Sequence, residues 1–324
     1  DLPTLQRFGG LVAVAAVSSY VAALVLVPAL FAAEKALLGR IAIRDRKTVT
    51  GSVVACILIA AALMYAPRTE GQEYTADDIA RQVAERTEGR ATRRSIDIVL
   101  TNKRGKSRTR RALVLKENTG NLRLTRITYT EPKAIRDTAF LSHDALDPSA
   151  TDSRWFFMPS LRKVRRVPAS DRGDYFLGTD FTYEDIQSEL KFDTDDYQFR
   201  YHGSTNADGR VRHELSGEPA NQRIARELGY GAFRAIVDDS TWMPIMVEFK
   251  DLDHQPLKTV YVDEMAYVDG IWTATDIRAV NHQTGHQTRF VVRDISYPDD
   301  LPDQYFESSA LSRGLPVLTS EVAP

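Results

Sequence analysis

The sequence is poor in the features that mark a disulfide scaffold or a redox centre. Its 324 residues include one cysteine, Cys56, so no intramolecular disulfide can form. Charge bias is missing too: 42 Lys and Arg stand against 44 Asp and Glu, a formal net charge of −2, which argues against nucleic acid as the main partner. With 18 Gly and 14 Pro the chain is neither collagen-like nor low in complexity. There is no H-E-x-x-H, G-x-S-x-G, Walker loop or paired-cysteine metal motif. The histidines (His143, His202, His213, His254, His282 and His286) are scattered, and a Thr-Gly turn separates His282 from His286. Asp171, Asp174, Asp180, Glu184 and Asp185 crowd one region, where acids more often cap helices and decorate loops than form a metal or acid–base site. The expectation is no enzyme, no cofactor and no metal.

Long apolar runs, by contrast, are present. Residues 9–33 and 49–66 carry no charge; the first is long enough to cross a hydrocarbon layer of about 30 Å as a helix, and the second is at the short end of a membrane span and also fits a signal anchor, with retention as a span the favoured reading. The loop between them, 34–48, holds Lys35, Arg40, Arg44, Arg46 and Lys47 against Glu34 and Asp45, which places it in the cytoplasm. Two membrane helices in region 1–66 then put the linker 67–73 and the domain 74–324 outside the inner membrane, in the periplasm of a Gram-negative cell. Val53-Val54-Ala55-Cys56 matches a loose lipobox, but the apolar stretch follows the cysteine, and a small membrane-buried Cys56 is the better reading.

Beyond the linker, Thr75-Ala76-Asp77-Asp78 opens a helix over 75–88, with Ile79 and Val83 at helical spacing. The segments 184–189 and 220–228 also read as helical. Elsewhere the period is two. Ile96, Ile98 and Leu100 alternate with polar residues before a turn at 102–106, and Leu113 and Leu115 return the chain. Phe199–Tyr201 and Val211–Leu215 flank Asn206-Ala207-Asp208-Gly209, and Ile245, Val247 and Phe249 alternate. Hairpins without long helices predict a mainly β domain, a large curved antiparallel sheet with a few covering helices, one face solvated and the other buried.

The most distinctive stretch is Trp155-Phe156-Phe157-Met158-Pro159-Ser160-Leu161-Arg162-Lys163-Val164-Arg165-Arg166-Val167, followed by Gly178-Thr179-Asp180-Phe181-Thr182-Tyr183-Glu184-Asp185. By residue type alone, these aromatics are as readily core as cavity wall. Together the two runs resemble the signature of LolA-like outer-membrane lipoprotein-sorting proteins over about residues 74–310, and Trp242-Met243-Pro244-Ile245 looks like that family's hairpin. Phe8-Gly9 and Val27-Pro28-Ala29-Leu30 are similar to the last membrane helix of a resistance-nodulation-division (RND/MMPL) exporter. The resemblance implies a half-barrel around an apolar cavity for lipid or lipoprotein acyl chains, working beside an RND/MMPL-type transporter. Trp155, Phe157, Phe181, Tyr183, Trp242 and Met246 are the candidate cavity residues, and Arg162, Lys163, Arg165 and Arg166 the candidate head-group or partner contacts. A second basic cluster, Lys103, Arg104, Lys106, Arg108, Arg110 and Arg111, reads first as a solvated strand face. The competing reading is a ligand-free accessory module of a transporter.

Overall fold

A computed structural model describes residues 74–146, 150–168 and 172–313; the two apolar runs, the loop between them and the linker lie outside the described residues. Among those described, no helix is long and apolar enough to cross a membrane.

Thirteen strands form one sheet: β1 (Ala91–Thr101), β2 (Ser107–Asn118), β3 (Leu122–Glu131), β4 (Ala139–Ala145), β5 (Ser153–Met158), β6 (Lys163–Val167), β7 (Tyr197–Ala207), β8 (Arg210–Pro219), β9 (Ala232–Asp238), β10 (Met243–Lys250), β11 (Pro256–Val268), β12 (Ile271–Asn281) and β13 (Gln287–Ser296). Their order is β6-β5-β4-β3-β2-β1-β13-β12-β11-β10-β9-β8-β7. Each half is a meander of antiparallel hairpins, and β1 pairs with β13 at the middle to join them. The turns follow their residues. Asp208-Gly209 and Asp269-Gly270 each place two consecutive residues at positive φ, the two-residue turn whose twist matches the flanking strands. A twisted sheet this wide curls, and bulges at Ser95/Ile96, Tyr201/Gly203 and Pro244/Met246 add curvature. The sheet remains unclosed, with β6 and β7 as its edges.

Among the described residues three short α-helices accompany it: α1 (Ala76–Glu85), α2 (Tyr183–Ser188) and α3 (Gln222–Leu228). Each begins where its cap requires. Thr75 and Asp78 form a capping box for α1, Thr182 and Asp185 another for α2, and the Asn221 side chain accepts from the first turn of α3. The expected helix 75–88 therefore stands three residues shorter at its C-terminal end. Ile79, Ala80 and Val83 of α1 are fully buried against Leu215, Phe233, Val237 and Val247 on the concave face of β8–β10. The segment between the two edge strands carries α2 across the same face, with Phe176 against Phe140 at 5.4 Å.

The two faces differ from the expectation of one wet and one dry. Over β8–β13 the convex face is solvated and laced with ion pairs: Arg234 to Glu214 (2.7 Å) and Glu248 (3.0 Å), and Arg278 to Asp263 (2.8 Å). Over β2–β5 much of the convex face is dry, while at the β1 margin Arg111 pairs with Asp97 (2.8 Å) and Glu131 (3.2 Å) in partial contact with solvent. The C-terminal segment Leu301–Arg313 lies on the dry part, with Tyr305, Phe306 and Leu311 packed against Leu115, Leu124, Leu141 and Phe157. Where that segment lies both faces of the sheet are buried, and β2 to β5 carry apolar residues at both parities.

Candidate functional site

The concave face holds a cavity of about 130 Å³, room for roughly ten water-sized spheres. Its wall is chiefly apolar. Ile96 and Ile98 of β1, Val114 of β2, Val247 and Phe249 of β10, Val260 of β11 and Phe290 of β13 all project inward by strand alternation. Phe181 stacks on Phe290 with ring centroids 4.4 Å apart. Phe233 lies over Gly217, where a Cβ would meet the ring at 2.4 Å, so only glycine lets that aromatic line the wall. Thr87, Asp193 and Trp272 line the cavity and are exposed, marking where it meets solvent.

Two buried polar networks hold α2 over the cavity. At its N-terminal end Lys258, fully buried among the rings of Tyr175, Tyr230 and Phe249, pairs with Asp185 and donates to the Asp180 carbonyl at 3.1 Å. Tyr230 donates to Asp185 at 2.9 Å. Burial holds the Lys258 ammonium below the ordinary lysine range even with Asp185 opposing. At the other end Gln187 donates to Ser142 (2.7 Å) and Asp144 (2.6 Å) and accepts from Arg154 (2.9 Å). Burial pushes the Asp144 carboxyl up to about 6, with Ser142 and Arg154 opposing and the neighbouring acids Asp152 and Glu184 adding to the rise. The acids crowded near 171–185 are absorbed here: Glu184 pairs with Arg172 (2.8 Å), Asp185 with Lys258, and Asp180 accepts from Thr288 (2.7 Å). Asp171 lies outside the described residues. Among the described residues no group of three or more His, Cys, Asp or Glu could hold a metal ion.

Of the six residues proposed for the cavity, Phe181 lines it and the other five do not. Trp155 and Phe157 stand on the convex face of β5, beneath the C-terminal segment, while Phe156 between them points to the concave side. The parity of the aromatic run is opposite to the one assumed. Tyr183 packs at the foot of α2 against Phe140 (5.3 Å) and Phe176 (5.5 Å), behind the cavity wall. Trp242 sits in the β9–β10 turn, stacked on His213 at 5.7 Å and edge-on to Tyr74. Met246 shares the convex face with Arg234 and Glu248, paired across the strands with Ile236 and Tyr261, and its neighbour Val247 takes the inward place. Arg162, Lys163, Arg165 and Arg166 are exposed at edge strand β6, where repeated positive charge discourages pairing with a second sheet. In the other cluster Lys103, Arg104, Lys106 and Arg108 are exposed, Arg110 donates to the Leu177 carbonyl (2.7 Å), and Arg111 pairs with Asp97 (2.8 Å).

Sequence reasoning passed over the polar end of the cavity. Arg86, Glu88, Arg94, Lys116, Glu189 and Lys191 line it beside the apolar wall. The signal was in the alternation: Arg94 shares a face with Ile96 and Ile98, and Lys116 with Ala112 and Val114.

A family model described as "Uncharacterized protein" matches residues 122–313. No curated protein matches the chain in sequence. Among solved structures the chain is similar to a DUF1329 family protein from Desulfovibrio piger, with 24% identity, 72% of this chain and 96% of that one covered, and a TM-score of 0.66. It is similar also to a domain described as an outer membrane lipoprotein-sorting protein from Vibrio parahaemolyticus, with 26% identity, 73% and 97% covered, and a TM-score of 0.65. A LolA superfamily protein from Nitrosomonas europaea matches at 22% identity, 72% and 98% covered, and a TM-score of 0.55. The half-barrel fold is shared with all three.

Proposed function

The chain belongs to the family whose model spans residues 122–313, more than half its length, and from that premise we propose that it is a carrier domain. It binds a lipid, or a lipidated protein by its acyl chains, in outer-membrane lipoprotein or lipid sorting. The apolar cavity under α2 is the observation that carries this reading. An acyl chain is recognised by burial, at about 0.8 kcal/mol per methylene, so a tail of roughly ten carbons gains on the order of 8 kcal/mol without any reacting group. The lipoprotein-sorting description of the Vibrio domain supports the cargo class. The uncharged runs at 9–33 and 49–66 support a tether in the inner membrane with the β domain in the periplasm, and the exporter-like motif at 27–30 supports an RND/MMPL-type transporter as neighbour. A short tether holds the carrier near that transporter at an effective concentration of about a millimolar.

The test is native mass spectrometry of the whole chain purified from its own host, followed by organic extraction. An acyl-bearing adduct is expected. Phe181→Asp is expected to lose it, whereas Trp155→Ala, altered on the convex face, keeps it. A clean unliganded mass from a folded protein that also refuses added phospholipid and acyl peptides overturns the carrier reading and leaves the accessory module.

A further inference from the structure

The cavity is apolar along most of its wall and cationic at one end. Lys116, buried on β2, makes no hydrogen bond through its Nζ; it stands 2.9 Å from one carboxylate oxygen of Glu189, which also pairs with Arg94. One oxygen thus serves two cations. Across from them Lys191 reaches Glu88 at 3.4 Å and donates to the Arg86 carbonyl at 2.7 Å, while Arg86 donates to the Glu189 carbonyl at 3.0 Å. Four cations therefore meet two carboxylates at this end. The other acids lining the cavity do not redress the balance: Glu184 and Asp185 are taken by Arg172 and Lys258, and Asp193 is exposed.

Unbalanced buried charge is costly unless something neutralises it. The surplus shows in the neighbours' titration. Glu88 stays below the ordinary carboxylate range although burial opposes this, because Lys116, Lys191, Arg123 and Arg86 together outweigh the burial. Burial holds the Lys116 ammonium well below the usual lysine range, with Glu88 and Asp144 opposing and Arg94 and Arg123 adding to the fall. The cluster is also built into the backbone. Glu189 and Leu190, at the end of α2, both adopt left-handed φ (46° and 66°), and this turn brings the Glu189 carboxylate to Arg94 and Lys116. Of the exposed residues that mark the opening, Thr87 is the chain neighbour of Glu88, and Asp193 lies two residues from Lys191.

We infer that this end is a head-group site for an anionic amphiphile, a carboxylate or phosphate held by Arg94 and Lys116 while its single tail occupies the apolar wall. The inference rests on the carrier reading and narrows it. Neutral lipids fill the same wall but leave the two surplus cations uncompensated, so selectivity resides in the head.

Titration calorimetry of the whole chain with dodecanoate, dodecyl phosphate and dodecanol tests this. At least one of the two anions is expected to bind ten-fold or more tighter than the alcohol, and the ranking of dodecanoate against dodecyl phosphate identifies a carboxylate or a phosphate head. Lys116→Met is expected to bring the anion-to-alcohol ratio close to one, while Lys103→Met, on the exposed β1–β2 turn, preserves it. Equal affinity for all three ligands in the unaltered chain overturns the head-group site and leaves the apolar carrier intact. Binding of none overturns both. Because the wild-type ratio decides the matter, the test stands even if Lys116→Met does not fold.

Discussion

The two wings of the sheet solve the same problem differently. Strands β8–β12 leave their convex face to water and cover it with ion pairs, among them Arg234 with Glu214 and Glu248. In the other wing β2–β5 bury theirs under Leu301–Arg313, so that Leu141 and Phe157 lie in a second core behind the cavity. Exposed ion pairs contribute little to stability, roughly 0–1 kcal/mol each, whereas a buried aromatic contributes several kcal/mol. The comparison teaches that the first wing, β1–β5, is held from both sides and the second, β8–β12, chiefly from the concave side, by α1 and the cavity wall itself.

The sharpest way to break the comparison is Phe157→Ala. It is expected to cost about 4 kcal/mol in urea unfolding while leaving ligand binding in place, because the lost ring lies behind the sheet. Next is the pH response, where carboxylates of the two wings shift in opposite directions. Asp144 in the first wing is raised from 3.8 to about 6. It therefore favours the folded state fully below pH about 4, and that contribution, at most about 3 kcal/mol, is lost as pH rises to 6. Asp144→Asn is expected to flatten that part of the stability–pH curve. Glu214 in the second wing is lowered, chiefly by its hydrogen bond from Arg234. Its contribution is present above the unfolded carboxylate value and fades as pH falls below it, and Arg234→Ala should remove this fading. Met246→Ala, at the solvated convex face, is expected to cost no more than about 1 kcal/mol against the 2–5 typical of a buried site. Smallest is the stability change from Arg234→Ala at neutral pH, on the order of 0.5 kcal/mol; a loss above 2 kcal/mol would show that the convex ion pairs matter as the packed segment does.

Much of this fold was legible in the residues. Thr75 with Asp78 announced its helix, and Asp208-Gly209 and the 102–106 turn announced hairpins, because caps and turns are local chemistry. Burial is not local. Trp155 and Phe157 were assigned to the cavity because aromatic alternation reveals two faces without saying which one looks inward; the covering segment is more than a hundred residues away. Met246 and Val247 differ by one place, and the bulge at Pro244/Met246 interrupts the count that would have separated them. Arg94 and Lys116 went unnoticed because charge in a strand was read as the solvated side, and what identifies them is the apolar company they keep on their own face.

The pairing of β1 with β13 also bears on how the molecule is made. Arg93 and its partner Ser296 are separated by about two hundred residues of chain. Every other strand pairing joins consecutive strands and is able to form early, whereas this one must wait for loop closure on a long scale. Until Gln287–Ser296 emerges, the molecule is two independent hairpin stacks, each presenting an extra open edge at what will be the middle of the sheet. A chain arrested before residue 287 therefore exposes the unpaired edge of β1, with Ile96, Ile98 and Leu100 on one face, to any other sheet nearby, and the last strand to be synthesised is the one that closes that route to aggregation.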